Sequence, residues 1–78
     1  MKTEEKIKTV LSDVFDIPVS EISDKSSLHT VKKWDSQQHM QLIVALEREF
    51  KIRFDDFEIP TLVNYPIITA TVKSYLEE

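Results

Sequence analysis

Apolar residues return every three or four positions through the start of the chain. Ile7, Val10, Leu11, Val14 and Phe15 fall on one stripe of an amphipathic helix. Thr3 stands where an N-cap belongs, and Glu4 and Glu5 suit the positive end of the helix dipole. Pro18 stops this helix near Asp16 or Ile17. From Pro18 to Trp34 no period is sustained. Ser20, Ser23, Asp24, Ser26 and Ser27 mark turns, while Val19, Ile22, Leu28 and Val31 are spaced apolar anchors. The pattern predicts a long ordered loop pinned to the core at intervals, a feature that is usually functional where it occurs.

Asp35 gives the clearest helix start in the chain, with Gln38 three residues later completing a capping-box pattern. Leu42, Ile43, Leu46 and Phe50 form the inward stripe, Glu47-Arg48-Glu49 interrupts it with charge, and Lys51 and Ile52 lead out. A short piece from Asp55 to about Leu62 comes next, apolar at Phe57, Ile59 and Leu62 and limited by Pro60 to one or two helical turns. Asn64 caps a last helix with Pro66 in its first turn, and Ile68, Val72, Tyr75 and Leu76 supply its core face. No repeat or low-complexity tract divides residues 1–78, so they are expected to form a single domain. The fold class expected is all-α: a small bundle of three main helices and one short one.

Composition narrows the functions open to it. The chain has no cysteine, so no disulfide framework, cysteine-ligated metal or thiol chemistry of its own is available. It also has no glycine, which excludes phosphate-cradling loops, dinucleotide fingerprints and the nucleophile elbow. Fourteen acids against ten bases leave a net charge of -4, with Lys32-Lys33 the lone basic pair, which argues against nucleic acid. No apolar run approaches a membrane span and no secretory signal is visible, so a cytoplasmic location is the expectation. Nothing in the chain suggests a stable oligomer, so a monomer is expected, with weak dimerisation through the apolar row left open.

Several places remain where chemistry could sit. Ser36 stands at the first position of the second helix, where unpaired N–H groups and the dipole favour an anion; it also reads as an ordinary solvated serine at a helix end. His39 could approach Ser36 from three residues on, but a triad needs a further carboxylate and an oxyanion hole. Asp35 is occupied as a cap, and so short a chain has little room for a pocket, so His39 is expected on the helix surface. His29 and His39 have no companion to complete a metal site. Ser36, Met40 and Val44 share a line offset from the core stripe, either a docking strip or the margin of a broad core face. Trp34 is placed to staple the helix start, and Asp55, Asp56 and Glu58 read as a solvated acidic face or a contact for a basic partner.

The run Trp34-Asp35-Ser36-Gln37-Gln38-His39-Met40-Gln41-Leu42-Ile43, followed by Ala45-Leu46-Glu47-Arg48-Glu49-Phe50-Lys51-Ile52, resembles the second helix of acyl carrier proteins. The family pattern there is Asp-Ser-Leu and then Ala-Leu-Glu-x-Glu-Phe-Gly-Ile. The likeness extends to the first helix, the long loop, the short helix and a last helix ending Val72-Lys73-Ser74-Tyr75-Leu76, so it spans nearly the whole chain.

That resemblance implies a non-catalytic carrier with a four-helix fold. Ser36 would receive 4′-phosphopantetheine from coenzyme A through a phosphopantetheinyl transferase that uses magnesium, and Asp35 would cap the helix and support the modification. The arm's thiol would hold an acyl or aminoacyl group as a thioester, delivered by a loading enzyme and passed to a downstream transferase of a biosynthetic pathway. Gln37, Met40, Gln41 and Val44 would form the surface that partners read. Gln37 departs from the family's leucine, Gln38 and Gln41 replace frequent acids, and Lys51 replaces a frequent glycine. Gln38 and Gln41 make the recognition helix less negative and so point toward different partners, and the Trp34-Asp35-Ser36 and His39-Met40 variations resemble stand-alone carriers of specialised pathways. The alternative is a scaffold subunit that keeps the fold without shuttling cargo.

Overall fold

The structure is a computed structural model that describes residues 3–27 and 29–77. Three α-helices account for the described architecture: α1 (Thr3–Phe15), α2 (Ser36–Phe50) and α3 (Tyr65–Tyr75). Two single 3₁₀ turns punctuate the connections, Val19–Glu21 in the long loop and Ile59–Thr61 before α3. The expected short helix is therefore a turn and one 3₁₀ segment, held to that length by Pro60. Thr3, expected as the cap, is itself helical and buried.

The stripes read from the sequence meet in one core. Ile7, Leu11 and Phe15 of α1, Leu42, Ile43 and Leu46 of α2, and Ile68 and Val72 of α3 are fully or almost fully buried, with Leu62 between them. Val14, Phe50, Tyr75 and Leu76 pack against this cluster from its edges. Phe54 closes the bottom, edge-on to Tyr75 with ring centroids 5.5 Å apart. Glu4 and Lys73 join α1 to α3 at 3.1 Å.

A chain without glycine must still end its helices. Asp16 (φ 55°) and Lys51 (φ 56°) take the left-handed conformation that a glycine would adopt without steric cost. At Lys51 three hydrogen bonds hold the strained turn in place. Lys51 and Ile52 N–H both bond to the Glu47 carbonyl, and Glu47 Oε2 accepts from Phe54 N–H at 2.9 Å. The charged run at the end of α2 thus anchors the chain reversal as well as facing water.

The long loop is ordered by anchors. Ile22, Ser26 and Trp34 are buried and Val31 is half-buried, but Val19 is exposed, contrary to expectation, because it lies on the outer side of a 3₁₀ turn. Leu28, the remaining expected anchor, lies outside the described residues. Tyr65 N–H donates to the Ser26 carbonyl at 2.9 Å, and Ser27 forms an antiparallel bridge with Asn64, so the loop is stitched to the start of α3. Asn64 caps that helix by accepting from Ile67 N–H at 2.8 Å.

Two substitutions test this packing. Leu46→Ala, at a position with no exposure, should lower unfolding free energy by about 2–5 kcal/mol in a denaturant titration; an unchanged midpoint would contradict the core assignment. Lys51→Gly should raise it by about 0.5–1 kcal/mol, the relief of left-handed strain less glycine's larger entropy cost.

Candidate functional site

The start of α2 is fixed by its own sequence. Asp35 is extended (φ −107°, ψ −176°) and its side chain accepts from Gln38 N–H at 2.8 Å. The first full helical bond then runs from His39 N–H to the Asp35 carbonyl at 2.8 Å. The capping box is only half made. Asp35 N–H bonds to the Lys33 carbonyl at 3.1 Å, and Gln38 Oε1 is buried with no partner among the described residues.

Ser36, the first helical residue, is exposed. Its N–H and that of Gln37 precede the first helical bond and carry the positive end of the dipole. No acid lies in the first turn, and the Asp35 carboxylate is engaged with Gln38. A phosphate ester on the Ser36 hydroxyl therefore fits this position electrostatically and sterically.

His39 is not the surface residue its spacing suggested. It is half-buried, and both ring nitrogens are bonded. The Trp34 indole Nε1–H donates to His39 Nδ1 at 3.0 Å, and His39 Nε2 is 2.8 Å from the Ile59 carbonyl. A carbonyl only accepts, so Nε2 carries the proton and the ring is the neutral Nε2–H tautomer. The Nδ1 lone pair is occupied by the indole, which leaves His39 without a free base to take a proton from Ser36.

Trp34 performs the stapling expected of it, with an imidazole as its helical counterpart. It precedes the cap and His39 is the fourth helical residue, the two positions that a helix staple joins. Its indole is buried, lies 4.9 Å from the Phe15 ring and stacks on His39 at 6.2 Å. The loop, α1, α2 and the 59–61 turn are thereby tied together within one turn of Ser36.

Beside Ser36 this brace forms the back of a groove of about 590 Å³, open to solvent. Met40, Ile59, Pro60 and Val63 are its apolar walls. The sequence suggested too small a chain for a pocket of this size; the groove exists because it lies between elements on the surface, outside the core.

Of the remaining candidates, Gln37 and Gln41 are exposed, and Met40 and Val44 are 50% and 46% exposed. The row from Ser36 through Met40 to Val44 therefore lies outside the core. A second hollow, between α1 and α2, is lined by Asp13, Val14, Met40, Gln41, Val44 and Arg48, which continues this face down the helix. Asp55 and Asp56 are solvated beside Phe57, itself 77% exposed. Glu58 is half-buried, accepts from the Tyr75 hydroxyl and from Asp55 N–H, and is not a free acid. That bond, followed by burial, raises the Tyr75 hydroxyl above its ordinary ionisation range. No cluster of metal-ligating side chains occurs among the described residues, and no helix there is long and apolar enough to cross a membrane.

Comparison with known proteins places this geometry in context. Residues 5–65 match the family model of the phosphopantetheine attachment site. An acyl carrier protein of Clostridium acetobutylicum is 32% identical over 74 residues, covering 95% of this chain and 96% of that one. The solution structure of holo acyl carrier protein from Geobacter metallireducens superposes with a TM-score of 0.86 at 31% identity, covering 99% of this chain and 88% of that one.

Removing the cap should be visible in stability. Asp35→Ala is expected to cost about 1 kcal/mol, and Asp35→Asn much less, because an amide oxygen still accepts from Gln38 N–H. Equal losses in the two variants, measured by thermal unfolding, would contradict the cap.

Proposed function

The chain belongs to the acyl carrier protein family, whose prosthetic group is 4′-phosphopantetheine, and on that premise we propose that Ser36 is where this group is attached. The observation that carries the reading is the placement of Ser36: exposed, first in α2, in a first turn with no acid beyond the Asp35 cap engaged with Gln38, with an apolar groove at its side. The group supplies the terminal thiol that this cysteine-free chain lacks, and with it a thioester to an acyl or aminoacyl cargo.

The protein's own residues do the presenting. Asp35 holds the first turn, so the Ser36 hydroxyl projects ahead of the helix toward a phosphopantetheinyl transferase. Gln37, Met40, Gln41 and Val44 form the face that the transferase, a loading enzyme and a downstream acyltransferase read. That face is apolar and amide-bearing, with Arg48 at its far end. Contacts of this kind select partners by shape and hydrogen bonding more than by long-range attraction. The tether raises the local concentration of the cargo at each partner, so the carrier contributes by proximity and needs no catalytic group.

Incubation with coenzyme A, magnesium and a broad-specificity phosphopantetheinyl transferase, followed by intact-mass analysis, tests the assignment. The expected result is a gain of one phosphopantetheine that is absent in Ser36→Ala. A gain that persists in Ser36→Ala would move the site, and no gain with several transferases would favour a non-shuttling scaffold.

A further inference from the structure

The hydrogen-bond chain from Trp34 through His39 to Ile59 does more than hold a helix end. It crosses the seam between α2 and the 59–61 turn in the groove that Ser36 also lines, with the indole packed on Phe15. Beside Ser36, this seam is spanned by two rings that are stacked on each other, with the imidazole bonded at both nitrogens. The groove beside Ser36 reflects this. Its wall includes Trp34 and His39 but none of Leu42, Ile43, Leu46, Leu62 or Ile68, which are buried behind them.

We propose that Trp34 and His39 act as a latch that keeps the cargo out of the bundle, so that the thioester-bound group stays on the outer surface. This inference rests on Ser36 as the attachment site. A group carried this way has only the open groove walled by Met40, Ile59, Pro60 and Val63 to lie on, so the methylenes of a long chain that reach past it face water. The class of cargo it fits is a short or polar acyl or aminoacyl group, which loses little by staying solvated. Trp34 and His39 are specificity-determining residues in this scheme and do not touch the reacting thioester.

The test loads the whole protein directly from acetyl-, octanoyl- and myristoyl-coenzyme A with a broad-specificity transferase, with occupancy of Ser36 followed by intact mass. Methyl resonances of Leu46, Leu62 and Ile68 then report on the core, and those of Met40 and Val63 on the groove. The expected result is that the core methyls and the Trp34 indole N–H do not move with chain length. In Trp34→Phe, which keeps a ring on Phe15 but loses the donor, octanoyl should shift the core methyls where acetyl does not. His39→Ala removes the imidazole and both of its bonds and should behave alike, covering the case in which the first variant does not fold. Core shifts with octanoyl in the unaltered protein would overturn the proposal. So would a core that stays closed in both variants, since the latch would then not be what closes it. Absence of any mass gain at Ser36 would instead overturn the attachment site, and is told apart from both by the mass spectrum alone.

Discussion

One imidazole, bonded at both nitrogens, fixes the geometry around Ser36. His39 accepts a hydrogen bond from the Trp34 indole N–H on one side and donates one to the Ile59 carbonyl on the other. Each bond alone contributes about 1 kcal/mol net. Their joint effect is positional, because Trp34 belongs to the long loop, His39 to α2 and Ile59 to the turn before α3. With Phe15 under the indole, all three connections converge within a turn of the serine. The cap at Asp35 sets the direction of the first turn, and the imidazole sets where that turn sits in the bundle.

The same economy runs through the rest of the fold. A domain of this size has a small core, and it uses polar contacts to position what the core cannot. The loop between α1 and α2 is tied down by Ser26 and Ser27 against the start of α3, and the reversal after α2 by Glu47. Helix ends at Asp16 and Lys51 take strained conformations that a glycine would relieve, and the neighbouring hydrogen bonds hold them there. Among the described residues, the large apolar side chains left exposed are Val19, Met40, Val44, Phe57 and Ile67.

Much of this was legible from the order of residues. The helical stripes, the Asp35 and Asn64 caps, Pro66 in the first turn of α3 and the run from Trp34 to Ile52 that resembles carrier proteins all have local causes, and local causes are written in adjacent residues. The place of Ser36, first in the second helix, was legible for the same reason. What was not legible depends on contacts between distant segments. His39 read as a surface residue because its second partner, Ile59, is twenty positions away and is a backbone carbonyl that leaves no trace in side-chain pattern. Its spacing from Trp34, at the two positions a helix staple joins, was the available signal. The groove walls at Ile59, Pro60 and Val63 were hidden likewise, and Glu58 read as solvated because Tyr75 is seventeen residues on.

The carrier role proposed for Ser36 asks for a fixed, exposed serine, and the brace at His39 holds the turn that carries it. Its most direct test is the protonation pattern of the His39 ring, read by long-range ¹⁵N–¹H correlation spectroscopy with His29→Gln to remove the other histidine. The account requires a single neutral tautomer, protonated at Nε2, with Nδ1 coupled across the hydrogen bond to the Trp34 indole proton. A ring protonated at Nδ1, or one averaging between tautomers with no coupling to Trp34, would contradict it.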